Sequence, residues 1–137
     1  MKTIQLSKNF QLCEFTRSTY TYDNTPKDFH IYRLSFGVLN ILQPLRDYLN
    51  KPIRITSGYR SPEINKAVGG VHNSQHMTGN AADIVLETNE DYTKAIDFIR
   101  KLPFFDQLIN EYKGKSRWLH ISWSLTPRHQ YFTHTNL

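Results

Sequence analysis

Residues Ser57 to Asp83 read SGYRSPEINKAVGGVHNSQHMTGNAAD. The stretch carries a lone Arg60 after a Gly-Tyr pair, a short capped segment, and His76 and Asp83 on either side of Gly79. Ser61-Pro62-Glu63 predicts a helix start, because Ser caps a first turn and Pro suits it. Gly69-Gly70 closes that helix. Val71 to Asn80 then reads as polar loop, and Ala82 to Leu86 as a strand. Gly79 allows a tight turn between His76 and Asp83, and Ala81 and Ala82 are small enough for close approach.

Upstream, Pro52 to Ser57 alternates Ile53 and Ile55 with Arg54 and Thr56, the pattern of a half-buried strand. From Phe29 to Leu49, apolar residues recur at steps of three and four, which predicts an amphipathic helix. Pro44 lies inside it and must kink or divide it, since its nitrogen cannot donate. The N-terminal stretch reads as an irregular arm with one short helix near Leu12 to Arg17, docked by Phe10, Leu12 and Phe15. Downstream, Asn89-Glu90-Asp91 starts a helix with Tyr92, Ala95, Ile96, Ile99 and Leu102 on one face. Gln107 to Tyr112 and Trp118 to Trp123 pair as a hairpin across Lys113-Gly114-Lys115-Ser116. The tail from Ser124 reads as coil. These elements predict an α+β domain with helices packed on one face of a small, largely antiparallel sheet.

The 137 residues suit a single domain, 1–137, with a core of its own. No apolar run approaches the roughly 20 residues of a membrane-spanning helix. Cys13 is the only cysteine, which excludes an intrachain disulfide. A zinc site would therefore need nitrogen and oxygen donors. The net charge of +5 is scattered, and no Lys and Arg run reads as a nucleic-acid arm. Nor does any nucleic-acid motif stand in the chain.

Far from the opening stretch, RWLHISW supplies a third candidate donor. Leu119, Ile121 and Trp123 should point one way, and Trp118, His120 and Ser122 the other. The apolar set belongs in the core, so His120 should face a polar cleft. His76, Asp83 and His120 together make a three-donor set for a divalent metal, and a fourth position left to water would make the site catalytic. Spacing alone leaves an ordinary surface histidine as the commoner reading of each. His30, His129 and His134 are read as surface residues.

SGYRSPEINKAVGG, then SQHMTGNAAD, then WLHISW together resemble the zinc D-Ala-D-Ala carboxypeptidase family. That family shares its fold with phage peptidoglycan endopeptidases, vancomycin-resistance D,D-dipeptidases and the hedgehog signalling domain. Its pattern is Ser-x-His, six residues, Asp, then a distant Trp-x-His, matched here by Ser74, His76, Asp83, Trp118 and His120. The N-terminal arm and the helix around Pro44 resemble the short phage- or prophage-type members. The resemblance implies Zn2+ held by His76, Asp83 and His120, and hydrolysis of peptidoglycan stem peptides by a carboxypeptidase-like or endopeptidase-like activity. It implies that Arg60 clamps an anionic substrate group, as a guanidinium fork suits a carboxylate. Ser74 either bonds the substrate backbone or caps the loop, and Tyr59 either packs beside the substrate or belongs to the core.

Relatives place a titratable group three residues before the second His, where this chain has Arg117. Arginine cannot accept a proton, so another base is required. Glu111 is the best substitute. With a hairpin turning at Gly114-Lys115 it lies opposite Trp118, on the face of His120. His72 is a further candidate for the base. The competing reading is an inactive binding module of the same fold, kept open by Arg117. The expected partner is a peptidoglycan stem peptide, with no nucleic acid and no membrane span, and the chain is expected to be a monomer. MKTIQLSKNF lacks the apolar stretch of a secretory signal. The chain would then be made in the cytoplasm and reach the wall by release or on a phage particle.

Overall fold

A computed structural model describes residues 4–136. The chain opens with two short antiparallel strands, β1 (Gln5–Ser7) and β2 (Phe10–Gln11), followed by a 3-10 turn at Leu12–Phe15. The expected short helix is thus this single turn, with Phe10 and Phe15 buried as its anchors.

Helix α1 (Asp28–Gly37) runs through a π-helical turn (Val38–Leu42) directly into α2 (Gln43–Leu49). Pro44 therefore does not end the helical run, which a widened turn divides just before it. The widened turn carries the Gln43 amide back to the Val38 carbonyl, and Pro44 falls in the first turn of α2, where no donor is needed. Leu34, Val38, Ile41, Leu42 and Leu45 form the buried stripe of this long helical unit. Asn50, in the left-handed region at φ 51°, ends it.

The main sheet comprises β3 (Arg54–Ser57), β4 (Ala81–Val85), β5 (Phe105–Lys113), β6 (Ser116–Trp123) and β7 (Gln130–Asn136). Their spatial order is β3-β4-β6-β5-β7. The first three pairings are antiparallel, while β7 lies parallel to β5. Largely antiparallel is therefore right, but the coil expected after Ser124 is wrong. From the end of β6 the chain returns past β5 through residues 124–129 and adds an edge strand, so β6 itself reverses the direction between the parallel pair. Arg128 pins this return by donating from its amide and guanidinium to the buried Asp106.

Helix α3 (Pro62–Ala67) is capped by Ser61, whose hydroxyl accepts from the Ile64 amide, and α4 (Asn89–Ile99) by Thr88. Ala82, Ile84, Leu108, Leu119, Ile121 and Trp123 point from the sheet into the core formed with α1, α2 and α4. Trp123 is fully buried, and its indole donates to the Arg33 carbonyl at 2.8 Å. Its ring lies so close to Gly37 that an added Cβ would stand 2.1 Å from it. The opposite face of β4 and β6 carries Asp83 and His120, bordered by α3 and a second 3-10 turn, Gln75–Thr78.

Candidate metal centre

His76 sits in that 3-10 turn, inside what reads from the sequence as plain loop. Ser74 caps the turn, its hydroxyl accepting from the His76 amide at 3.2 Å. Gly79 ends it at φ 80°, with the His30 backbone too close for any side chain there. His76 is 2% exposed, and its Nδ1 lies 2.7 Å from the Gly58 carbonyl. A carbonyl can only accept, so Nδ1 carries the proton and Nε2 presents its lone pair. That lone pair faces Asp83 Oδ1 at 3.4 Å.

Asp83 and His120 are direct cross-strand partners on β4 and β6. His120 Nδ1 lies 3.0 Å from Asp83 Oδ1. One donor atom from each of His76, Asp83 and His120 lies within 4.8 Å of the other two. Burial works to raise the Asp83 carboxyl, but attraction to His76 and the hydrogen bond from His120 Nδ1 overcome it. The carboxyl is held well below the usual carboxylate range. An ionised carboxylate between two imidazole nitrogens is a donor set that fits zinc, which takes nitrogen and oxygen ligands and leaves a fourth position open in catalytic sites.

A cleft of about 590 Å³ opens over this trio, lined among others by Arg60, Ser74, Glu111, Trp118 and Arg128. Arg60 is half-buried. It donates from Nη2 to Ser74 Oγ at 3.3 Å, while its Nε is buried with no partner. Burial lowers its pKa, opposed by the negative Asp83. Ser74 thus does cap the loop, and it also seats Arg60. Glu111 pairs with Trp118, the register anticipated from the hairpin, and its carboxylate lines the cleft. Its Oε1 accepts from His134 Nδ1 at 2.6 Å.

His134 is exposed, as read from the sequence, but its bond to Glu111 was not foreseen. It was hidden because β7 was. Asp106 was missed too: it takes Arg128 in a two-pronged ion pair and Gln75 Nε2 at 3.0 Å, tying the His76 turn to the start of β5 and the lead into β7. Arg117, three residues before His120, lies on the opposite face. Its guanidinium covers the Tyr92 and Tyr112 rings and donates to Asn110 and Asn89.

Two further readings need correction. Tyr59 is a core residue, its ring 4.3 Å from that of His30 and only 5% exposed, so it is not a wall of the cleft. His30 is itself buried, Nδ1 accepting from the Lys27 amide at the start of α1. His72 is exposed and outside the residues lining the cleft, and His129 is exposed as expected.

A family model for Peptidase M15 matches residues 6–122, most of the chain. The chain belongs to the Peptidase M15 family. This M15 chain is also 48% identical over 44 residues to the zinc D-Ala-D-Ala carboxypeptidase of Streptomyces albus G. That match covers 31% of the chain and 17% of the relative's length. Family and donor set agree on zinc as the cofactor of a metallopeptidase. Strand β7, with His134 and Arg128, lies beyond the part of the M15 chain that the family model covers.

Proposed function

We propose that this M15 peptidase hydrolyses the stem peptides of peptidoglycan, with His76, Asp83 and His120 as its zinc ligands. The observation that carries the reading is the convergence of three donor atoms on one cleft that also holds a carboxylate, Glu111, and a guanidinium, Arg60. Bound there, zinc supplies a Lewis acid for the scissile carbonyl and acidifies a water toward a pKa of about 7.

The side chains divide the rest of the work. Glu111 accepts the proton of the attacking water and passes it to the amine released when the C–N bond breaks. His134 holds that carboxylate in place, as a base oriented by a third group. Arg60, steadied by Ser74, meets a substrate carboxylate through its fork. The kinship to a relative named as a D-Ala-D-Ala carboxypeptidase supports a murein peptide as substrate.

The test has two arms. Protein purified without chelator should carry one zinc per chain, and His76→Ala should lose it; equal zinc in both would remove the ligand assignment. Purified murein should release peptide fragments identifiable by mass spectrometry, and intact murein after prolonged digestion would remove the substrate assignment.

A further inference from the structure

Arg60 and Asp83 line the metal cleft on one side and, on the other, a second groove of about 670 Å³. The second groove runs between residues 17–20, β3 and α3. Arg17, Arg54 and Arg60 all line it, over an apolar floor that includes Ile55, Ile64 and Val68. Asp83 is the only acidic residue in its lining, and it is taken by His76 and His120. Among the described residues, no salt bridge engages any of the three arginines.

Three guanidinium groups around one groove, without a carboxylate of their own, repel one another and concentrate positive potential there. A carboxylate-bearing ligand answers that charge, and the fork geometry favours it over a neutral one. The walls are also fixed in advance. Asn24 donates to the Thr16 and Tyr59 carbonyls and accepts from the Ser61 amide, and the Tyr59 amide donates to the Phe15 carbonyl. These bonds join the arm that carries Arg17 to the segment that carries Arg60. The backbone that carries Arg17 and Arg60 therefore needs little ordering on binding.

We propose that this groove is an anion-binding subsite, and that the substrate is an extended acidic peptide lying on both sides of the scissile bond. The proposal rests on the peptidase reading of the cleft. A terminal carboxylate beside the reacting carbonyl would need only one guanidinium, such as Arg60. Arg17 and Arg54 line only the second groove and not the cleft, so they serve carboxylates farther along the chain. The cleft with Glu111, Trp118 and Arg128 takes the peptide on the other side. The chain is then suited to internal bonds rather than to removal of a single terminal residue.

The test uses two extended stem peptides that differ only in carrying carboxylates or carboxamides outside the scissile residues. Calorimetric Kd, kcat and KM are measured on the zinc-loaded wild type and on Arg17→Ala/Arg54→Ala. The wild type should favour the acid form about tenfold or more, the scale of one charge-assisted hydrogen bond. The double variant should lose that preference, chiefly in KM, while keeping its zinc. A wild type indifferent to the carboxylates, or a double variant that still prefers them, overturns the subsite even if both peptides are cut. Arginine-dependent binding of the acid form without cleavage would uphold the subsite and sink the peptidase reading instead.

Discussion

At the scale of single residues, the site separates donors from the groups that aim them. His76, Asp83 and His120 were legible through the resemblance of Ser74-x-His76, Asp83 and Trp118-x-His120 to a family pattern, since spacing alone favoured ordinary surface histidines. Glu111 was legible through register, since a two-residue turn fixes which residue faces Trp118. His134 was not, because its role comes from a strand with no apolar alternation. The pair yields an ordered prediction. Glu111→Gln, which keeps size and removes basicity, should lower kcat on the order of 10²-fold or more with zinc retained. His134→Ala should cost less, roughly tenfold, and His134→Asn should recover part of it, because an amide can still donate to Glu111. Steady-state kinetics on a stem peptide checks both. Near-normal kcat in Glu111→Gln would remove it as the base. Tyr59 shows the opposite failure: beside Arg60 in sequence, it faces His30 and the core, an orientation that no local pattern encodes.

At the scale of elements, the helices and strands β3 to β6 were readable from capping residues, glycines and apolar period. Strand β7 was not. Six of its seven residues are exposed, so burial left no trace in the sequence, and only Tyr131, Phe132 and the threonines hint at a strand. What holds its lead in place is Asp106, buried and bonded by Arg128 and Gln75. The Arg128 hydrogen bonds, set against burial, keep the Asp106 carboxyl below its ordinary value of 3.8. A depressed folded-state pKa stabilises the fold above the unfolded value, and that contribution is lost as pH falls through the folded one. Asp106→Asn should therefore be less stable than the wild type at neutral pH. The gap in urea midpoints should close as the solution is acidified below 3.8. A gap independent of pH would mean that the carboxylate charge is not what anchors the return to β7.

At the scale of the whole molecule, one sheet divides two tasks. Its inner face packs on α1, α2 and α4, and its outer face carries the metal donors, so alternation along β4 and β6 decides core and chemistry at once. The α+β class and the buried set Leu119, Ile121 and Trp123 followed from that alternation. The close seat of α1 on the sheet did not, because it depends on Gly37 lacking a Cβ against Trp123. Gly37→Ala should destabilise the fold by about 1–3 kcal/mol through overpacking, read by chemical denaturation. An unchanged midpoint would show that the helix can slide away at no cost.

The two tryptophans of the chain occupy opposite sides of that division. Trp118 lines the cleft, whereas Trp123 is sealed in the core with its indole bonded to Arg33. Their emission is therefore a pair of separate optical gauges. Quenching or a wavelength shift on adding peptide reports Trp118, and the red shift of a solvated indole on denaturation reports Trp123. A Trp118→Phe protein would be dark to ligand and still bright to unfolding, so occupancy and integrity can be followed in one cuvette without a label.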